Sequence, residues 1–186
     1  RRLAIIDLEA GDQPVYNEDK TLVLTFNGEI YNYRELREKL LSRGHFFYTR
    51  SDSEVLVHAY EEWGEKMLRR LRGMFAFAIY DRTRQELFLA RDFFGIKPLH
   101  YMIWNGHFVY GSEIKSLLCF QGFQKRLNER SLENYLSFQY PVPPETFYRG
   151  IKTLPPAHCL TYRNGTVHLR RYWEPVSYTH LTLPTN

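Results

Sequence analysis

The chain is poor in cysteine, has no long apolar run and carries no long block of one charge. Its two cysteines in 186 residues, Cys119 and Cys159, are too few for a disulfide framework. They fit a reducing compartment, and a cytoplasmic location is expected. No apolar run reaches membrane-spanning length and no signal peptide is visible, so no membrane partner is expected. Lys and Arg outnumber Asp and Glu by 25 to 21, a net +4 without clustering, so nucleic acid is not an expected partner either. There is no internal repeat, and no metal site is expected. The chain opens at Arg1 rather than Met, so the native N-terminus is expected upstream.

What is present is a globular composition. Hydrophobic residues make up 44% of a length that fits one domain with a sizeable core. The stretch Asn27-Gly28-Glu29-Ile30-Tyr31-Asn32 stands at the centre of the pattern. An apolar strand, Leu22–Phe26, gives way there to an amphipathic helix carrying Tyr33, Leu36 and Leu40, with Gly44 as its stop. Asn-Gly is a default turn pair. It also offers a side-chain amide donor beside a backbone N–H that no Cβ obstructs, and two such donors aimed at one point make an oxyanion hole. Both readings stand on these two residues alone.

The remaining pattern is mixed. Leu3–Ile6 reads as a short strand. Asn32 with Glu35, and Ser51 with Glu54, have capping-box spacing. Phe46–Tyr48 reads as a strand, and Val55, Leu56, Ala59 and Trp63 line a helix ended by Gly64. Hairpins are expected at Met74–Tyr80 with Leu87–Ala90, around Asn105-Gly106, and around Asn164-Gly165. Glu113–Phe120 and Glu129–Phe138 read as helices, and the proline-rich 140–144 stretch as a loop. Strand, strand, helix, strand, helix and then hairpins exclude a simple alternating parallel sheet and fit antiparallel sheets covered by helices. Residues 176–186 are Thr-rich with no clear element. They read as a non-native tail from translated cloning sequence, with a native linker as the alternative.

Several separated stretches together resemble one family. They are Arg2-Leu3-Ala4-Ile5-Ile6-Asp7, Asn27–Asn32, Ser51-Asp52-Ser53-Glu54, Gly73-Met74-Phe75-Ala76-Phe77-Ala78, Arg91–Leu99 and Ser112-Glu113-Ile114-Lys115. In order and spacing they resemble the glutaminase domain (class II glutamine amidotransferase) of glutamine-hydrolysing asparagine synthetases, over about residues 1–175. The resemblance implies an α+β fold of the N-terminal-nucleophile hydrolase type, a four-layer αββα sandwich with two antiparallel sheets, here truncated at the N-terminus.

It also implies a glutamine site. Arg2 would clamp the α-carboxylate in a charge-assisted fork. The backbone of Ile5 and Ile6 would hydrogen-bond the substrate. Asn27 and Gly28 would be the oxyanion donors, and Glu29 and Asp52 would receive the α-ammonium. A zwitterion needs a cation at one end and carboxylates at the other, which this set supplies. The implied partners are L-glutamine and a C-terminal synthetase domain, absent from this chain, that would use ATP and Mg2+; a homodimer is compatible with the resemblance. No cofactor is expected within the chain itself.

Ordinary readings sit beside each role. Arg2 and Glu29 read equally as solvated surface charges, and Asp52 as a favourable carboxylate in a first helical turn. Arg91–Leu99 reads first as a turn, and by resemblance also as a face toward the second domain. The family's nucleophile is an N-terminal cysteine whose own α-amine is the base. Neither Cys119 nor Cys159 matches it, and both read as inert core residues.

Overall fold

The computed structural model describes residues 12–175. The expected strand at Leu3–Ile6, the residues Arg2, Ile5 and Ile6, and the tail 176–186 lie outside them.

Among the described residues, nine strands form two antiparallel sheets. In chain order they are β1 (Val15–Tyr16), β2 (Leu22–Ile30), β3 (Gly73–Asp81), β4 (Glu86–Arg91), β5 (His100–Trp104), β6 (His107–Gly111), β7 (Lys152–Thr153), β8 (His158–Arg163) and β9 (Thr166–Arg171). The larger sheet has the order β1-β2-β3-β4-β8-β9 and the smaller β6-β5-β7. The helices are α1 (Tyr33–Leu41), α2 (Asp52–Trp63), α3 (Ile114–Leu118) and α4 (Glu129–Phe138), with a 3-10 turn at Gly64–Arg69.

Side-chain alternation along the central strands produces the layers. Phe75, Phe77 and Ile79 of β3, with Phe88 and Ala90 of β4, enter a core shared with Leu36, Leu40 and Val55–Val57 of α1 and α2. The intervening Ala76, Ala78 and Leu89 face the other way and meet Tyr101 of the smaller sheet and Leu99 just before it. Two alanines on that face let the sheets approach closely. Met102 of β5, on the far side of the smaller sheet, packs with Leu117 of α3. Three cores between four layers make an αββα sandwich.

Both hairpins centred on Asn-Gly form as the turn chemistry dictates. Asn105 and Gly106, and Asn164 and Gly165, all take positive φ, as a tight two-residue turn requires. Other expectations are corrected. The third Asn-Gly, Asn27-Gly28, is not a turn: β2 runs through it to Ile30, in register with Ala76 and Phe75. Phe46–Tyr48 is not a strand. The Phe46 N–H donates to Glu18 at 3.0 Å, and the Tyr48 and Thr49 N–H groups donate to Glu54 at 2.7 Å, so side-chain carboxylates replace the ladder. Glu54 therefore does not close a capping box, although Ser51 caps α2 through the Ser53 N–H. Asn32 makes no cap bond. Its amide instead bridges to Arg70 O and Arg72 N, tying the start of α1 to the segment before β3. Cys119 is exposed rather than core, because α3 ends at Leu118; Cys159 is buried.

Candidate active site

The site grows from the far half of β2. β1 pairs with β2 only at Leu24 and Val23, so beyond Thr25 that edge has no strand neighbour among the described residues. Gln13 substitutes for one: its side chain accepts from Phe26 N at 2.7 Å and donates to Phe26 O at 2.8 Å. Backbone groups two residues apart in a strand point to the same edge. The N–H groups of Gly28 and Ile30 therefore point as that of Phe26 does. On β3, Phe75 turns its own N–H and C=O toward Asp92, away from Gly28, which fits the same alternation. Ile30 N donates to Asp52 Oδ2 at 2.9 Å. Among the described residues, the Gly28 N–H thus lies on an unpaired edge between two covered neighbours.

Glycine is required at 28 for a further reason. Its φ is +150°, and a Cβ there would stand 2.1 Å from Met74 O and 2.8 Å from Phe75 Cα. Any side chain would push β3 away.

Leu24, Phe26 and Ile30 belong to the helix-side core, so Thr25, Asn27 and Glu29 point to the opposite face. Thr25 Oγ1 meets Tyr110 Oη at 3.0 Å, and Asn27 Nδ2 donates to Ser112 Oγ at 3.0 Å. Both contacts reach β6 and the residue after it. A cleft of about 310 Å3 opens between the sheets here, lined in part by Gln13, Thr25, Asn27, Tyr110, Gly111 and Ser112. The Asn27 amide thus sits at a cavity wall, held by a hydroxyl that a stronger acceptor can replace.

Asp52 arrives from the other side, at the start of α2, with only 6% of its surface exposed. Burial pushes its carboxyl pKa up, the amides of Ile30, Asp52 and Ser53 pull it back in part, and the charge of Glu29 raises it again. Two carboxylates at one end of β2, one of them buried with its pKa raised, form a place where a cation lowers the energy of both.

The structure therefore brings together Asn27, Gly28, Glu29 and Asp52. Two participants were not assigned roles from sequence: Gln13, which covers Phe26, and Ser112, which holds Asn27. Ser112 lies in a stretch that the resemblance had marked, so a signal existed; Gln13 had none. The Arg91–Leu99 turn is a structural knot. The Asp92 carboxylate accepts from the N–H groups of Phe75, Phe94, Ile96 and Lys97, and Arg91 donates to the carbonyls of Gly95, Lys97 and Leu154. Cys159 is no nucleophile candidate, because burial pushes its thiol pKa up.

The model of the glutamine amidotransferase domain family matches residues 1–173. The chain belongs to that family. It is 40% identical over 184 residues to asparagine synthetase [glutamine-hydrolyzing] 3 of Bacillus subtilis, covering 97% of this chain and 30% of that protein. It is 47% identical over 182 residues to asparagine synthetase [glutamine-hydrolyzing] 2 of the same organism, covering 94% and 24%. The Arabidopsis thaliana asparagine synthetase [glutamine-hydrolyzing] 2 is 42% identical over 179 residues, 95% of this chain and 25% of that one. The amidotransferase chain thus spans less than a third of the length of these relatives. Among solved structures, glutamine phosphoribosylpyrophosphate amidotransferase from B. subtilis superposes with a TM-score of 0.59 at 22% identity, covering 88% of this chain and 32% of that one. The allosteric regulatory enzyme of purine biosynthesis gives 0.60 at 22% identity, with the same coverage. Those likenesses bear on the fold, which is that of the N-terminal-nucleophile sandwich. No helix among the described residues is long and apolar enough to cross a membrane.

Proposed function

We propose that the chain is the glutaminase domain, over residues 1–175, of an asparagine synthetase. It would hydrolyse glutamine to glutamate and ammonia, and the ammonia would amidate aspartate to asparagine with ATP. The observation that carries this reading is one juxtaposition: the Asn27 amide and the Gly28 N–H stand beside the Glu29 and Asp52 carboxylates in the far half of β2. The carboxylates suit the α-ammonium of glutamine, and the two N–H donors suit the oxyanion that forms at its side-chain amide. Arg2 and the backbone of Ile5 and Ile6 enter through the family resemblance, as partners of the α-carboxylate and of the substrate backbone.

The chemistry is thiolate attack on the side-chain carbonyl carbon. A C–S bond forms, and the C=O electron pair moves onto oxygen, held by Asn27 and Gly28. The pair then returns, the C–N bond breaks, and the amine leaves as ammonia with a proton from the catalytic base. Water hydrolyses the thioester, giving glutamate and restoring the thiol. The nucleophile in this reading is an N-terminal cysteine, not Cys119 or Cys159. ATP and Mg2+ belong to the synthetase domain, and no residue of this chain is assigned to them.

The test compares glutamine-dependent with ammonia-dependent asparagine formation by the full-length enzyme in the presence of ATP, Mg2+ and aspartate. Asp52→Asn should depress the first and spare the second. Glutamate release without asparagine would mean another acceptor. Absence of glutamate release would mean a module that kept the fold without the chemistry.

A further inference from the structure

A second cluster lies on α2, on the face that carries Glu54, His58, Glu61 and Glu62. His58 is fully buried. Its Nδ1 lies 3.5 Å from Glu61 Oε2 and 3.6 Å from Glu18 Oε2. His45, in the loop after α1, brings its own Nδ1 to 3.5 Å from the same Glu61 oxygen. Glu18, His45 and His58 each offer a ligand atom within 4.8 Å of the others. Bonds of about 2.0–2.2 Å from four ligands to a tetrahedral zinc ion put those ligands about 3.3–3.6 Å apart. The separation of His58 Nδ1 from Glu18 Oε2 has that length, and so do those of both imidazoles from Glu61 Oε2.

Three of these four side chains are held from behind by a hydrogen bond, and the fourth has a carboxylate nearby. The other oxygen of Glu18 accepts from Phe46 N at 3.0 Å, and that of Glu61 accepts from Asn17 Nδ2 at 3.3 Å. His45 Nε2 meets Glu62 Oε2 at 3.2 Å, and Glu62 is itself paired with Arg43. His58 Nε2 faces Glu54 Oε1 at 3.7 Å, beyond hydrogen-bond length, and has no hydrogen-bond partner among the described residues. The carboxylate hydrogen-bonded to the distal nitrogen of His45 is the arrangement that orients a histidine ligand on a metal, and Glu54 stands near the corresponding nitrogen of His58. The Phe47 ring, 4.5 Å from that of His58, makes an apolar wall. Glu18 and Glu61 keep partly exposed side chains, which leaves an entry path from solvent.

We propose that Glu18, His45 and His58 form a binding site for one zinc-class divalent cation, with Glu61 close to both imidazoles at its rim. Two imidazoles and a carboxylate favour zinc, cobalt and their neighbours over magnesium or calcium, which prefer all-oxygen shells. The ion clamps three segments that are remote in sequence: the loop after β1, the loop after α1, and α2 itself. It thereby anchors the helix whose first residue is Asp52. It lies on the helix side of the larger sheet and takes no part in glutamine chemistry.

The experiment uses the untagged full-length protein, stripped with EDTA and titrated with Zn2+ against a chromophoric chelator. A parallel titration uses Co2+ to read coordination from its visible spectrum. One equivalent should bind, with the intense bands of four-coordinate cobalt, and at a hundredfold excess over Kd Zn2+ should raise Tm by about 5–10 °C. Glu18→Gln and His45→Ala change side chains that are not fully buried, and each should weaken binding on the order of a hundredfold. Glu62→Gln, acting through His45, should weaken it about tenfold. His168→Ala, on exposed β9, should change nothing. Three results would each overturn the site: no stoichiometric binding, binding indifferent to Glu18→Gln and His45→Ala, or equal affinity for Mg2+.

Discussion

Asp52 and Asp92 are both buried, at 6% and 1% exposure, yet they sit in opposite circumstances. Asp92 accepts from four backbone N–H groups and closes the turn that follows β4. Asp52 accepts from Ile30 N at 2.9 Å, with help from the amides of its own helix start, and shares its surroundings with the charge of Glu29. A carboxylate saturated with fixed donors is a structural element, because nothing remains for a ligand to satisfy. A buried carboxylate whose desolvation outweighs its donors, beside a second negative charge, is held at a cost that a bound cation relieves. Burial alone would not have separated the two; the neighbouring charge and where the donors come from do.

The sharpest way to break this contrast is Asp92→Ala. It leaves four backbone donors without their acceptor, and a buried unsatisfied group costs about 1–3 kcal/mol. With partial rehydration the loss should be on the order of 4 kcal/mol, read by urea denaturation. A loss under about 1 kcal/mol would show that the turn is held by Arg91 alone.

Asn27→Ala comes next, and should act on rate. Its amide serves charge that develops only in the transition state, so kcat for glutamate release should fall about a hundred- to a thousandfold with little change in stability. A raised KM with unchanged kcat would make Asn27 a ground-state contact.

Asp52→Asn should have the opposite profile to Asp92→Ala. Losing the charge opposite the ammonium should cost about 1.5–3 kcal/mol in kcat/KM for glutamine. Stability should not fall at neutral pH, and the sign follows from the raised pKa. A carboxyl whose folded pKa lies above its unfolded value stabilises the fold below the unfolded value, and that contribution is lost as pH rises through the folded one. Ionised Asp52 therefore costs stability at neutral pH, and Asn removes the cost while still accepting from Ile30. The Tm of the variant should equal or exceed that of the parent at pH 7, the difference shrinking toward about pH 4. A variant markedly less stable at pH 7 would move Asp52 into the same class as Asp92.

The smallest effect is expected from Cys119→Ser, at an exposed helix end. Stability should change by less than about 0.5 kcal/mol and ammonia release not at all. Lost activity would put that thiol in the chemistry.

Much of the layer pattern was legible in the sequence, because it depends on alternation within single strands. Phe75-Ala76-Phe77-Ala78 states by itself that one face takes large side chains and the other small ones. The candidate site was legible only as a set of residue types. That Asn27 and Gly28 stand on an edge, and that Asp52 covers Ile30, depends on where β1 stops and where α2 docks. Glu18, His45 and His58 gave no signal at all, since their spacing follows no local period.

The three Asn-Gly pairs mark the boundary between the two kinds of information. At Asn105-Gly106 and Asn164-Gly165 the flanking segments are close in sequence and fold back on each other, so turn propensity decides and the sequence determines the outcome. At Asn27-Gly28 the pairing partner is β3, more than forty residues later, and the ladder with Met74–Ala76 draws the dipeptide into extended backbone. Local conformational preference is worth about 1 kcal/mol or less per residue. A register that buries Phe26 and Ile30 together outweighs it. Only the tertiary structure could decide that this glycine would sit against a neighbouring strand, with its N–H turned away from it.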